Sequence, residues 1–270
     1  MKGPEDPRYE SLMAIIGGFR RVAVALSGGN DSTLVALAAH DALGDDTAAF
    51  MVVTEALRDE DRAAARTAAS SIGMDLVEIE RSVLSSEEIA RNSPDRCALC
   101  RGSMVEAVKE RGEKMGFSVI ADGAVLDDLD DYRPGFDRST GMGVKHPLIE
   151  AGLRKSDVVD LLVRAGLGPV LRPPSPCLAS RIPYGERLTL NKLRLVDHLE
   201  GRVRGLGFSQ VRVRLFETSG GTYLGIVEVD DVGRAMEMWG EITPGDDGIR
   251  LVLDPRGYRM GSLNSLLGPP

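Results

Sequence analysis

Aromatic residues are scarce in this chain. One Trp, five Tyr and six Phe make up 4% of 270 residues. Any core must therefore be built from Val, Leu, Ile, Ala and Met, and a hydrophobic content of 43% is enough to build one. Long apolar runs are also missing. None approaches the roughly 18 residues of a membrane span. Glu5, Asp6 and Glu10 precede a short apolar stretch, which is not the pattern of a secretory signal. Only three cysteines are present, an odd number. Without a signal, that argues against a disulfide scaffold and for a metal or a reactive thiol, in a protein expected in the cytoplasm. Basic residues are outnumbered, 33 Lys and Arg against 41 Asp and Glu, for a net charge of −8. An acidic chain is a poor partner for nucleic acid, whose affinity rests on neutralised phosphates.

What the chain does have is concentrated at Val22-Ala23-Val24-Ala25-Leu26-Ser27-Gly28-Gly29-Asn30-Asp31-Ser32-Thr33. A Val-rich run breaks into a polar glycine turn, and a helical pattern runs on from Thr33 to Leu43. Strand, glycine loop and helix in that order aim backbone N–H groups and a helix N-terminus at an anion. Gly28 and Gly29 let phosphate oxygens approach the backbone. Ser27, Ser32 and Thr33 add hydroxyls. Asp31 would repel phosphate alone, so it suits a Mg²⁺ ion held directly or through water. No Lys precedes the Ser or Thr, so this is not a Walker A loop.

The wider pattern alternates strand and helix. An entry helix over 8–18 leads to strand 22–26, helix 33–43, strand 48–53, helix 59–72, strand 75–80, helix 101–115 and strand 117–121. Apolar strands between helical patterns predict an α/β fold with a parallel sheet covered on both faces. Ligands of such sheets sit beyond the carboxyl ends of the strands. The loop at 27–32 and Asp122-Gly123 both lie at such ends. A long loop, 122–146, a short helix near 155–165 and a proline-rich bend, 169–176, follow. The character then changes to helix 189–206, strands 210–216 and 222–229, helix 231–239 and strand 248–253. Two domains are expected, 1–185 and 186–270, the second a smaller α+β unit ending in a frayed tail from Ser262.

Cys97 and Cys100 form a CxxC pair just before a predicted helix, and Cys177 lies far along in another predicted loop. Three thiolates can hold three irons of a [4Fe–4S] cluster and leave the fourth open to carry a sulfide. Spacing alone leaves other readings standing. These are a CxxC redox pair, a zinc site with His146 as fourth ligand, a purely structural CxxC, and Cys177 as a lone sulfur donor.

The SGGxDS string resembles the pyrophosphate loop of the PP-loop ATP pyrophosphatases. Three further strings extend the likeness: Asp122 to Gly135, Pro176 to Gly185, and Val211-Arg212-Val213-Arg214. Together with Arg96 to Cys100 they resemble the LarE family over roughly residues 10–255. Members are pyridinium-3,5-biscarboxylic acid mononucleotide sulfurtransferases, which serve assembly of the nickel-pincer nucleotide cofactor. The resemblance implies that ATP and Mg²⁺ adenylylate a pyridinium carboxylate, releasing pyrophosphate, and that sulfur then displaces AMP. One branch sacrifices a cysteine. A three-cysteine branch, which Cys97, Cys100 and Cys177 match, carries the sulfur on a [4Fe–4S] cluster recharged by an unknown donor.

The resemblance also assigns residues. Ser27, Gly28, Gly29, Asp31, Ser32, Thr33, Gly123 and Arg133 would bind the nucleotide and its metal. Arg212 and Arg214, alternating on one strand and so on one face, would meet the substrate phosphate, with Asp231 as a partner. Arg181 would meet a phosphate or carboxylate beside Cys177. Asp127, Asp128 and Asp131 offer further carboxylates near the strand ends. Neither a membrane nor a nucleic acid is expected as partner, and a homo-oligomer is. Two rivals remain: a PP-loop tRNA thiolase with a cluster, and a non-catalytic adenine-nucleotide sensor.

Overall fold

The computed structural model describes residues 2–130, 134–218, 221–243, 245 and 248–259. Arg133, Asp131 and the tail from Ser262 lie outside the described residues. In chain order the elements are α1 (Pro7–Gly17), β1 (Val22–Ala25), α2 (Asn30–Leu43), β2 (Thr47–Val53), α3 (Asp59–Ile72), β3 (Leu76–Glu80) and α4 (Glu87–Ala90). Next come α5 (Arg96–Lys114), β4 (Val119–Ala121), α6 (Pro134–Gly141), α7 (Pro147–Glu150) and α8 (Lys155–Arg164). The chain continues through α9 (Leu190–Gly205), β5 (Val211–Glu217), β6 (Tyr223–Val229), α10 (Val232–Glu237), α11 (Trp239–Ile242) and β7 (Ile249–Leu253). No helix among the described residues is long and apolar enough to cross a membrane.

The chain divides into two compact units. Met1–Val83 and Asp95–Ser175 form one, and Leu84–Pro94 with Pro176–Pro270 form the other. In the first unit β1 to β4 make a parallel sheet in the order β3-β2-β1-β4. Both faces of the central strands β1 and β2 are buried, as their runs of small and branched apolar residues require. Val22 and Val24 face a core shared with Leu34, Val35 and Leu37 of α2 and Leu161 of α8. Ala23, with Phe50 and Val52 of β2, faces Ala107 and Val108 of α5. The expected α/β sheet is thus present.

The second unit holds the smaller sheet, in the order β5-β6-β7, with β5–β6 antiparallel and β6–β7 parallel. Val211 and Val213 pack with Leu199 and Val203 of α9 and with Val227 and Val229 of β6. The sequence reading draws its line at 185, whereas packing groups 176–185 and 84–94 with the later residues. Asn92 explains why. It is fully buried, holds a left-handed φ of 56°, and donates from its side chain to Ile182 O and Pro183 O at 3.2 and 2.8 Å. Its own carbonyl accepts from Gly185 N at 3.0 Å.

Several boundaries differ from expectation. Helix α2 begins at Asn30 rather than Thr33, because Gly29 takes the cap position with extended backbone (φ −87°, ψ 162°). Helix α5 begins at Arg96, so Cys97 and Cys100 sit in its first turns rather than in a loop. The stretch expected as the long loop 122–146 contains a 3-10 turn, Leu126–Asp130, and α6, which starts on Pro134 at a position where proline costs no hydrogen bond. The single helix expected over 231–239 is broken at Met238 into α10 and α11.

Candidate nucleotide and sulfur-transfer site

The strand order reverses direction at β1. Strands β2 and β3 lie on one side of it and β4 on the other. A crevice opens outside the carboxyl ends at such a point. The loop after β1 and the turn after β4 meet there. A Cβ on Gly123 would lie 2.5 Å from Ser32 N and 2.7 Å from the Asp31 carbonyl carbon. Only glycine lets these two segments come so close. Gly28 is under the same constraint from the other side. It has φ +79°, and a Cβ there would meet the Asp61 carbonyl oxygen at 2.5 Å.

Within the loop, the hydroxyls turn inward. Ser32 Oγ and Thr33 Oγ1 donate to Gly29 O at 3.1 and 2.9 Å, and Ser27 Oγ lies 3.1 Å from Ser32 Oγ. Ser32 and Thr33 are buried, whereas Ser27 and Gly29 are exposed. The cap position of α2, a helix of 14 residues, is held by Gly29, which has no side chain to bond the first-turn N–H groups. Its first-turn backbone N–H groups and helix dipole are the anion-attracting elements. Asp31 stands in that same first turn.

Beside the loop lies a cavity of about 550 Å³, counting its open mouth. Ala25, Leu26 and Ser27 form one wall, Phe50, Met51 and Val52 a second, and Met104, Val105 and Val108 of α5 a third. It is largely apolar, and among the described residues Arg101 is the one charged group on its lining. Arg101 is held by Asp122, which its Nη2 contacts closely. The other carboxylate oxygen of Asp122 takes His146 Nδ1 at 2.7 Å and Ala124 N at 3.1 Å. Burial pushes the Asp122 carboxyl up, but the His146 hydrogen bond and the Arg101 charge outweigh it and hold it below the usual range. His146 Nε2 lies 2.8 Å from Thr140 Oγ1. Both ring nitrogens of His146 are therefore engaged, one by Thr140 and one by Asp122.

The cysteines fall in different units. Cys97 and Cys100 are a helical turn apart on α5, half-buried, and Arg96 Nη2 donates to Cys97 Sγ at 3.1 Å. Cys177 is exposed in the second unit, ahead of a 3-10 turn, Leu178–Arg181. Among the described residues none of the three is joined in a disulfide. Among the described residues no three His, Cys, Asp or Glu side chains converge into a metal site.

In the second unit, Arg181 is fully buried against Glu200, with Nε–Oε1 at 2.7 Å and Nη2–Oε2 at 3.0 Å. Its Nη1 donates to Pro176 O, Cys177 O and Ser180 Oγ at 2.9, 3.2 and 2.8 Å. Arg181 thus shapes the turn that carries Cys177. Arg214 is buried, bidentate to Glu228 at 3.2 and 3.1 Å, and donates to Ser180 O at 2.9 Å. Arg212 lies over the Tyr258 ring at 5.0 Å and donates to Val211 O. Asp231 caps α10 by accepting from Arg234 N at 2.9 Å. Asp127 and Asp128 hold the start of α8, accepting from Lys155 N and pairing with Lys155 Nζ at 2.9 and 3.3 Å. Glu200 was not singled out in the sequence. No spacing rule ties it to Arg181, which lies outside its helix.

A glycine loop running into a helix N-terminus, at the switch point of a parallel sheet, is the arrangement of a PP-loop nucleotide-binding fold. Consistently, a family model described as NAD synthase matches residues 15–105. Similarity to whole proteins reaches further. A pyridinium-3,5-bisthiocarboxylic acid mononucleotide synthase of Lactiplantibacillus plantarum is 32% identical over 268 residues, covering 95% of this chain and 94% of that protein. An uncharacterized protein of Synechocystis is 31% identical over 265 residues, covering 97% and 98%. An uncharacterized protein of Methanocaldococcus jannaschii is 23% identical over 212 residues, covering 78% and 79%. The chain belongs to the LarE family.

Proposed function

We propose that this chain is an ATP-dependent sulfur transferase acting on a pyridinium-3,5-biscarboxylic acid mononucleotide, in assembly of the nickel-pincer nucleotide cofactor. The observation that supports it best is the glycine-capped N-terminus of α2 beside a largely apolar cavity at the strand ends. The name of the Lactiplantibacillus relative points to the substrate class.

A carboxylate resists substitution because its oxygen is a poor leaving group. Transfer of AMP from ATP to that oxygen, with release of pyrophosphate, supplies a good one. The nucleoside fills the cavity against Met51, Val52 and Val105. Backbone N–H groups of residues 28–32 hold the pyrophosphate and stabilise charge as it builds on the departing oxygens. Asp31 fits a Mg²⁺ ion whose remaining ligands are phosphate oxygens and water. Arg101, fixed by Asp122, offers a cation at the cavity wall. In the second unit, Arg212 and Arg214 are assigned to the substrate phosphate, with Asp231 as a partner. Arg181 and Glu200 keep the Cys177 turn in shape.

Cys97 and Cys100, a turn apart on one helix face, suit a shared ligand, and Cys177 completes a three-thiolate set for a [4Fe–4S] cluster. When bound, that cluster supplies an exchangeable sulfide, so turnover spares the protein's own sulfur.

The deciding experiment is iron and acid-labile sulfide analysis of protein purified without oxygen, with pyrophosphate release followed on Mg·ATP and the biscarboxylated mononucleotide. About four irons per chain, lost in Cys177→Ser, is the expected result. Iron-free protein that forms thiocarboxylate once and loses sulfur from Cys177 would replace the cluster with a sacrificial cysteine. Absence of pyrophosphate release with the carboxylate would overturn the activity itself.

A further inference from the structure

His146 is buried and bonded through both ring nitrogens, yet it does not line the cavity. Main-chain pairing within the first unit puts it where it is. Lys145 N donates to Ile120 O at 2.8 Å, and Lys145 O accepts from Asp122 N at 3.0 Å. This one-residue parallel bridge runs along the side of β4 away from β1. The next residue, His146, therefore stands beside Asp122. Phe136 of α6 covers its ring, with 4.7 Å between centroids.

Asp122 has two carboxylate oxygens, and its partners divide them. Oδ1 accepts from His146 Nδ1 at 2.7 Å and from Ala124 N at 3.1 Å. Oδ2 takes Arg101 Nη2. A carboxylate only accepts, so Nδ1 carries the proton in this contact. Nε2 is held by Thr140 Oγ1 at 2.8 Å, and that hydroxyl also donates to Phe136 O at 3.0 Å. The imidazole cannot turn without breaking one bond or the other. Its hold on Oδ1 fixes the rotation of the carboxylate, and with it the direction of Oδ2. Burial opposes the charge on Asp122, and the His146 hydrogen bond does most to offset it.

Arg101 is also confined at its root. A Cβ on Gly135 of α6 would lie 3.4 Å from Arg101 Cβ, and one on Gly102 would lie 2.9 Å from Arg138 Nε. Helices α5 and α6 thus pack closely where the arginine begins. Its guanidinium lines the cavity together with Ser27 of the glycine loop, whereas Asp122 does not line it. The ion pair therefore turns its positive end to the cavity. Among the described residues, Nε and Nη1 of Arg101 donate to no protein acceptor. A side chain at a binding site is only as well placed as the groups that lock it.

We propose that His146, backed by Thr140, is a positioning residue that acts through Asp122 to hold the Arg101 guanidinium on a phosphate of the bound nucleotide. This rests on the reading of the cavity and the glycine loop as the nucleotide site. The cation stands where cavity and loop meet. It thus serves the phosphate next to the nucleoside, the one that passes to the carboxylate.

The test is the affinity of the full chain for Mg·ATP, measured by calorimetry in a double-mutant cycle. Arg101→Met should weaken binding about tenfold or more, the loss of a charged hydrogen-bond donor. His146→Leu should weaken it about fivefold alone and less than about twofold when added to Arg101→Met, since its effect passes through the arginine. His146→Asn, whose amide nitrogen takes the place of Nδ1, should bind within about twofold of the wild type. A residue that merely supports the fold would weaken binding equally in both backgrounds. That result overturns the proposal, as does full affinity in His146→Leu or in Arg101→Met, or no rescue by His146→Asn. Should His146→Leu fail to fold, Thr140→Val takes its place in the cycle. It keeps the imidazole and removes only the bond to Nε2, and equal loss in both backgrounds, or no loss, again overturns the proposal. Wild-type protein that binds no ATP overturns the reading of the nucleotide site itself.

Discussion

Arg181 and Glu200 are each fully removed from solvent and joined by two hydrogen bonds, at 2.7 and 3.0 Å. A buried pair of this kind is weak evidence of net stabilisation, but breaking it is costly, because the surviving charge loses its partner. Here the surviving charge would be Arg181, whose other donors hold Pro176 O and Cys177 O. Glu200→Ala should therefore cost about 3–5 kcal/mol in urea unfolding. Replacing both partners together, as Arg181→Met with Glu200→Leu, should recover most of that loss. A single variant within about 1 kcal/mol of the wild type would show that the pair is solvated in solution.

The same pair predicts an acid limit. Burial raises the Glu200 carboxyl, but the hydrogen bonds from Arg181 outweigh it and set it below its ordinary 4.5. Asp122 is likewise held below its ordinary 3.8. A depressed carboxylate contributes stability that is complete above its unfolded value and lost as pH falls through the folded one. The melting temperature should stay flat down to about pH 5 and fall steeply below it. In Glu200→Gln, starting from a lower melting temperature, the descent should be shallower. An equally steep descent would assign acid unfolding to other groups.

Gly123 and Gly28 limit the nucleotide loop from opposite sides. A methyl on Gly123 would strike the backbone at Asp31 and Ser32, which has no flexible side chain to yield. Gly123→Ala should push the first turn of α2 out of line and weaken ATP binding about tenfold to a hundredfold, with the fold intact. Gly28→Ala adds strain at φ +79° to a backbone clash and should do more. Equilibrium binding of a fluorescent ATP analogue would measure both. Unchanged affinity in Gly123→Ala would mean that the two segments are not tightly apposed.

The legible part of this chain was local. Val22 to Thr33 announced strand, turn and helix because apolar pattern, glycines and capping residues coincide within a dozen residues. The onset of α2 was read late because Asn30, Asp31 and Ser32 are poor helix formers inside a helix, yet suit its first turn. Cys97 and Cys100 were read as loop for a related reason. The first turns of α5 bury little apolar surface, whereas Val105, Ala107 and Val108 further on give the periodic signal. Non-local pairings left no trace. Nothing in the spacing of Arg181 and Glu200, Asn92 and Ile182, or Asp122 and His146 marks them as partners. Strand order is equally silent, since four similar apolar runs permit several arrangements. The sequence therefore names candidate site residues as chemistry-bearing types without their neighbours. For Arg181, the neighbours reveal a buried scaffold around the Cys177 turn.

The apolar cavity offers a separate check, independent of the loop. Ala25 lies at its floor, where β1 gives way to the loop, and is only half-buried. A larger side chain there would take up part of the cavity that Ala25 lines. Ala25→Leu should thus compete with the nucleoside while leaving the phosphate grip untouched. Affinity for ATP should fall about tenfold or more, since a well-fitted apolar contact is lost to steric exclusion. Inorganic pyrophosphate, which needs only the loop, should bind as in the wild type. Equal loss of both ligands would mean that the substitution distorts the loop itself. No loss of either would place the nucleoside elsewhere on the sheet edge, and with it the carboxylate it activates.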